Sequence, residues 1–218
     1  MNYYLKRKIL NLFFPNRCPV CGELINVNDR FCPECTDKLT PYTGSFRIAG
    51  ATECFSALVY NKAVKSAVFL LKKGNCGNSA HAFGMYLADV LKNRSIPEKT
   101  DFIVPVPMSE KSRRKRGYNQ SELIAKAVSA ETGIPVRNVV RKVRNTKEQK
   151  KLGRAGRKIN LKGAFEVTED VSGKNILLLD DICTTGSTFS EIAVMLRKKG
   201  ALNIFCASAM KAIKKAGT

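Results

Sequence analysis

Two adjacent carboxylates, a run of small hydroxylated residues and one glycine fall within the stretch 175–189, N-I-L-L-L-D-D-I-C-T-T-G-S-T-F. Asp180 and Asp181 can accept hydrogen bonds from a pair of vicinal hydroxyls. Thr184, Thr185, Gly186, Ser187 and Thr188 are small enough for the backbone to wrap a phosphate, and Gly186 can take a positive φ. The apolar run before them, Ile176 to Leu179, suits a strand covered on both faces, as in a parallel sheet. A helical pattern over 189–199 follows. Ligands of open α/β sheets lie beyond the carboxyl ends of strands, and a helix N-terminus offers unpaired N–H groups to an anion. Diol, phosphate and strand-to-helix turn together describe a sugar-phosphate site. The plainer alternative is a buried strand, a solvated acidic turn and a Ser or Thr helix cap. A Walker-type ATPase would need a G-x-x-x-x-G-K-[ST] stretch, and the nearest segment, 153–158, has the wrong spacing.

A second constellation is thiolate. Cys18-Pro-Val-Cys21 and Cys32-Pro-Glu-Cys35 are two C-x-x-C knuckles separated by ten residues, 22–31. Each knuckle supplies two soft ligands from a tight turn, so four thiolates can enclose a tetrahedral Zn²⁺ with no open position. A redox dithiol would come singly and beside a βαβ unit. The segment has too few apolar residues to fold alone, which makes the metal structural. Cys54, Cys76, Cys183 and Cys206 are scattered among apolar neighbours, the pattern of buried thiols in a reducing cytoplasm.

The elements that must position these groups read as an α/β chain of 218 residues. Strands are expected over 53–60, 101–107, 134–140, 164–167, 175–181 and 203–209, the last closing the sheet. Helices are expected over 4–14, 62–73, 81–92, 121–132 and 189–199. Residues 38–51 read as a linker and 141–162 as a long basic loop of the kind that forms lids. The stripe Leu5, Ile9, Leu12 and Phe13 in the first helix is expected to pack on the chain's own core, with docking on a membrane surface as the alternative. His81, the one histidine, is expected at a helix start as a cap or surface residue. No apolar stretch is long enough to span a bilayer. A formal net charge of +20, from 38 basic and 18 acidic side chains, favours a polyanionic partner. The densest cationic block is Arg113, Arg114, Lys115 and Arg116, read as part of a loop; a merely solvated charge run is its simplest explanation.

The 175–189 stretch resembles the signature of type I phosphoribosyltransferases. Together with the N-terminal cysteines, it makes the chain similar to the ComF family, associated with bacterial DNA uptake. The resemblance implies a type I phosphoribosyltransferase-like parallel-sheet core over 46–218, with an N-terminal helix and zinc ribbon over 1–45. It further implies that Asp180 and Asp181 hold the ribose hydroxyls of phosphoribosyl pyrophosphate, and that Thr184 through Thr188 hold its 5′-phosphate. The segment Arg116 to Gln120 matches an R-G-[FY]-N-Q pattern of that family, in the loop that holds pyrophosphate. Arg113 or Arg116 would clamp pyrophosphate through bidentate bonds, or a nucleic-acid backbone with Tyr118 as a stacking surface. Thr146, Gln149, Arg157 and Asn160 match T-x-x-Q and R-x-x-N positions of a closing loop, which adds Arg157 to the pyrophosphate or backbone contacts. Gly156 stands where an acidic residue commonly precedes that arginine. A lysine and glycine near 72–74 stand close to the ligand in relatives.

Two functions follow as expectations. The first is a competence-type protein that binds single-stranded DNA and carries a phosphoribosyl pyrophosphate or nucleotide pocket, cytoplasmic or peripheral at the inner face of the membrane. A competence helicase is its candidate protein partner. The second is an active phosphoribosyltransferase, which would pass the ribosyl group to a nitrogen nucleophile with Mg²⁺ offsetting the pyrophosphate charge. Asp180 and Asp181 would then be its catalytic residues.

Overall fold

The computed structural model describes residues 2–73, 77–144 and 161–213. Their elements, in chain order, are α1 (Tyr3–Phe13), α2 (Pro33–Thr36), β1 (Glu53–Val59), α3 (Lys65–Lys72) and α4 (Gly77–Lys92), then β2 (Phe102–Pro105), α5 (Glu110–Arg116) and α6 (Gln120–Thr132). They continue with β3 (Val140–Lys142), β4 (Phe165–Val167), β5 (Asn175–Cys183), α7 (Ser187–Lys198) and β6 (Asn203–Lys211). The main sheet has the order β1-β6-β5-β2, and every neighbouring pair in it is parallel. β3 and β4 form a separate antiparallel pair.

The apolar run of β5 explains how the sheet is covered. Side chains alternate along a strand. Leu177 and Leu179 accordingly join a cluster with Phe83, Leu87, Leu91 and Ile124 from α4 and α6. Ile176 and Leu178 join the opposite cluster with Phe189, Ile192 and Leu196 from α7. All four are fully buried, the condition of a strand in a parallel sheet with helices on both faces. On the first face α4 and α6 pack very closely. A Cβ added at Gly84 would stand 2.5 Å from the Ala127 methyl, so only glycine permits the approach.

The zinc-ribbon residues are continuous with this core. Cys18, Phe31, Cys32, Cys35 and Leu39 belong to the same cluster as Phe55, Leu58 and Phe83. The Phe31 and Phe83 rings lie 6.0 Å apart, and Arg30 pairs with Asp89 on α4.

Several expectations are corrected. β6 lies inside the sheet between β1 and β5 and does not close it, because parallel crossovers return the last strand to the centre. Residues 134–140 are not a strand: a single parallel bridge, Val136 to Ile103, precedes β3. The 164–167 strand stands apart in the β3–β4 pair. The cationic block is the helix α5, opened by the Ser109 side chain accepting from the Ser112 N–H and ended by Gly117 at φ 81°. Helix α1 buries none of its residues, so its apolar stripe does not enter the core. His81 is buried, where a cap or surface position was expected. Its Nδ1 lies 3.1 Å from the Tyr3 hydroxyl and its ring stacks on Tyr3. Burial, with Arg7 and Arg30 nearby, pushes its pKa down to about 3.

Candidate functional site

The site is built where β5 runs into α7. Asp180 and Asp181 lie in the last turns of the strand, which continues to Cys183. Asp180 accepts a hydrogen bond from the Ser121 hydroxyl at 2.7 Å, and its own carboxylate also receives the Asp181 N–H at 2.9 Å. Asp181 receives the Ile182 N–H at 2.8 Å, and the Lys72 ammonium stands 3.8 Å from its second oxygen. Burial first, then the neighbouring Asp181 charge, push the Asp180 pKa up to about 8, against the donation from Ser121.

The loop that follows is shaped by Gly186, at φ 76° and ψ 5°, which is the N-cap of the twelve-residue α7. A side chain there would be strained by the left-handed backbone and would meet Ile48 at 3.1 Å. Gly186 brings no side chain to the cap of α7, the Ser187 N–H reaches the Thr185 hydroxyl at 3.4 Å, and the positive end of the helix faces the turn where an anion would sit. The Thr185 and Ser187 hydroxyls lie 2.8 Å apart at the same turn. A cleft of about 350 Å³ opens over this turn, lined by Tyr60, Lys72, Asp180, Asp181 and the whole segment 182–189 with Ala212. The size suits a sugar phosphate or a mononucleotide, and the lining offers both diol acceptors and phosphate donors.

Two supports were not foreseen from the sequence. Lys211, at the end of β6, donates to the carbonyls of Thr184 at 2.7 Å and Cys183 at 3.5 Å, with the Phe46 ring 5.0 Å from its ammonium. Its ammonium satisfies those carbonyls and adds a positive charge beside the loop. Ser121 fixes Asp180 from the first turn of α6. No local sequence signal points to Lys211, since its place opposite Cys183 comes from the parallel pairing of β5 with β6. Ser121 stands two residues past the Asn119 cap of α6, a position that local pattern alone does not aim at any partner.

The basic residues follow the carboxyl end of β2, at the same end of the sheet, but outside the cleft lining. β2 neighbours β5, so the segment after β2 emerges beside the carboxylates. Arg113 is exposed and pairs with Glu122 at 3.5 Å, and Arg114 pairs with Glu110 at 3.8 Å. Arg116 lies in the exposed last turn of α5. The Tyr118 hydroxyl donates to the Leu71 carbonyl at 3.0 Å, which ties the end of α5 to the residue before Lys72. Thr146, Gln149, Arg157 and Asn160 lie outside the described residues.

The four cysteines converge as expected. The sulfurs of Cys18, Cys21, Cys32 and Cys35 all lie within 4.8 Å of one another, and Cys21 to Cys32 is 3.6 Å. Tetrahedral ligation at about 2.3 Å per Zn–S bond spaces sulfurs about 3.8 Å apart, so the donor set fits Zn²⁺. The first knuckle closes with the Gly22 N–H on the Cys18 carbonyl at 2.8 Å, the second with the Thr36 N–H on the Cys32 carbonyl at 3.0 Å. Three of the four thiols are buried, as befits a structural metal.

A parallel sheet that delivers paired carboxylates to a glycine-hinged, hydroxyl-rich helix start defines a phosphoribosyltransferase-type domain, here preceded by a zinc ribbon. Comparison with known proteins agrees. The Phosphoribosyl transferase domain family matches residues 78–217 and the Double zinc ribbon domain family matches residues 9–46. The chain is 30% identical to the DNA utilization protein YhgH of Escherichia coli over 195 residues, 87% of this chain and 82% of that protein. It is 38% identical to Competence protein F of Haemophilus influenzae over 102 residues, 45% of this chain and 44% of that one. With Competence protein ComFC of Bacillus subtilis it shares 26% over 184 residues, 84% and 72% of the two chains. The chain belongs to this family of competence-type, phosphoribosyltransferase-domain proteins. No helix among the described residues is long and apolar enough to cross a membrane.

Proposed function

We propose that this protein handles DNA, as the name of the DNA utilization relatives suggests for them, that it does so on single strands, and that its cleft binds phosphoribosyl pyrophosphate or the phosphate end of a nucleotide. The observation that carries the reading is the pairing of Asp180 and Asp181 with the glycine-hinged, hydroxyl-rich start of α7 around one cleft. Ribose hydroxyls donate to the two carboxylates, and the 5′-phosphate accepts from the loop N–H groups and from the hydroxyls of Thr184, Thr185, Ser187 and Thr188. Lys72, which lines the cleft beside Asp181, neutralises part of the bound anion. Mg²⁺ suits the same carboxylates, because it is held by one or two of them together with ligand phosphates. DNA is gripped by Arg113 and Arg116 on α5, with Arg157 and the stacking ring of Tyr118 as further contacts. Zn²⁺ bound by the four thiolates fixes the ribbon. Active phosphoribosyl transfer is the second reading, favoured by the intact carboxylate pair; Asp180 and Asp181 then stabilise the ribosyl cation as it forms.

The test is a melting curve with phosphoribosyl pyrophosphate and Mg²⁺. Ligand that binds only the native state raises Tm, by about 2.7 kcal/mol of stability at a hundredfold excess over Kd. The parent should show the rise, and Asp180→Asn with Asp181→Asn should lose it while remaining folded. An equal rise in parent and double variant would remove the carboxylates from the site. Pyrophosphate release in the presence of a nucleobase or amine would establish the second reading.

A further inference from the structure

Helix α1 is amphipathic, and it faces the protein with its polar side. Tyr3 is fixed by His81, as described above, and the Tyr4 hydroxyl donates to Glu131 at 2.6 Å. Arg7 donates to the Asn16 side chain at 3.4 Å and the Val27 carbonyl at 3.3 Å, while Asn11 accepts from the Asn16 N–H at 2.7 Å. These contacts belong to one face of the helix, and they hold it firmly against α4, α6 and the ribbon. At about 100° per residue, Leu5, Ile9, Leu12 and Phe13 occupy the opposite face. Their exposures are 51%, 43%, 79% and 74%, and Phe14 continues the patch at 75%. Lys8 borders this face on one side and Lys6 on the other, both exposed. Neither makes an ion pair among the described residues.

A contiguous apolar face of this kind is normally covered by something. The local charge selects the cover. The first 22 residues hold four cations, Lys6, Arg7, Lys8 and Arg17, and no carboxylate. A single nucleic-acid strand would use the phenyl rings and the lysines but gain little from Leu5, Ile9 and Leu12. An anionic lipid surface uses all of them: the aliphatic and phenyl groups enter the acyl boundary while the flanking lysines reach the headgroups. We propose that α1 is a membrane-surface helix, by which this chain docks on an anionic bilayer through Leu5, Ile9, Leu12 and Phe13, with Lys6 and Lys8 at headgroup level. The helix lies in the plane of the surface. The docking is independent of the cleft, because none of these residues lines it.

The chain contains no tryptophan, so Phe13→Trp in the full-length, zinc-loaded protein places a single fluorophore on the face. Vesicles of phosphatidylcholine with about 30 mol% phosphatidylglycerol should shift its emission to the blue and carry the protein down on sedimentation, whereas pure phosphatidylcholine should bind far more weakly. Lys6→Gln and Lys8→Gln should each weaken partitioning about fivefold, and added salt should do the same. Leu5→Glu with Leu12→Glu should weaken it by more than about tenfold, with zinc content and Tm kept as evidence of folding. Should that pair fail to fold, the lysine variants and the salt series still decide. No blue shift and no sedimentation with anionic vesicles would overturn the proposal. So would a blue shift without lipid that follows protein concentration, which would assign the face to a second copy. A shift produced by single-stranded DNA but not by vesicles would also overturn it.

Discussion

Replacing Asp180 by Asn should stabilise the unliganded protein, and increasingly so as pH rises. The free carboxyl titrates at 3.8 and the native one at about 8. The sign follows from proton binding. Between these values the native state holds a proton that the unfolded chain has released, so stability falls as pH climbs through the window. A shift of about four units at 1.36 kcal/mol each sets a ceiling of roughly 5–6 kcal/mol above about pH 8. Asp180 is partly exposed and shares its titration with Asp181, which argues for about half of that or less, on the order of 2 kcal/mol. Asn keeps an acceptor for the Ser121 hydroxyl at 2.7 Å and removes both the buried charge and the repulsion from Asp181. For a chain of this size about 2 kcal/mol corresponds to a Tm rise of roughly 4–8 °C. Melting curves of parent and variant from about pH 5.5 to about pH 8.5 should therefore diverge, the parent losing stability and the variant staying flatter. Parallel curves, or a variant less stable than its parent at the alkaline end, would refute the reasoning. The stabilised variant should lose the ligand-induced rise, since the destabilising charge is the one that serves the site.

Further outcomes test the remaining parts. Cys32→Ser should release zinc in a colorimetric metal assay and lower the Tm of the entire chain, because Cys32 packs in the same core as Phe83 and Leu58. Cys206→Ser, buried in the sheet, should keep the metal. Gly186→Ala should cost about 1–2 kcal/mol through its left-handed backbone and abolish stabilisation by phosphoribosyl pyrophosphate, measured by thermal shift. Neutralising Arg113, Arg114 and Arg116 should weaken single-strand binding for all sequences alike and flatten the slope of log K against log salt by about two units, read by fluorescence anisotropy. Unchanged DNA affinity in that triple variant would move the interface elsewhere.

What was legible in the sequence was local. The β5 run, the turn at Gly186 and the two thiolate knuckles each declare themselves within eighteen residues or fewer. The groups that tune the cleft come from far along the chain. Ser121 lies 59 residues from Asp180, and Lys211 lies 27 from Thr184. Their roles depend on strand order, and nothing in the pattern of 203–209 says that β6 sits between β1 and β5. Helix α5 is a different kind of miss. Ser109 and Gly117 are ordinary cap signals, but a dense charge block reads as a solvated loop when helical periodicity has no apolar residue to mark it. Helix α1 shows the limit of periodicity itself. The pattern locates a stripe of Leu5, Ile9, Leu12 and Phe13, yet hydrogen bonds to tyrosine and arginine decide which side meets the protein.

Among the described residues, the cleft is better furnished for one half of phosphoribosyl pyrophosphate than for the other. The ribose-5-phosphate half meets two carboxylates, a hydroxyl-rich turn and the start of a twelve-residue helix. For the pyrophosphate half, the cation in the lining is Lys72, already 3.8 Å from Asp181. Arg113 and Arg116 stand on α5 outside that lining, with Arg113 engaged by Glu122. Ribosyl transfer requires a stabilised pyrophosphate leaving group, so cations aimed at it matter more for turnover than for binding. A ribonucleotide makes no such demand, because it presents ribose hydroxyls and phosphate to the furnished half, while the arginines of α5 stand outside the cleft, where a DNA backbone would meet them. Among the described residues, the placement of these cations, more than the carboxylates that both readings share, supports the proposed handling of nucleic acid.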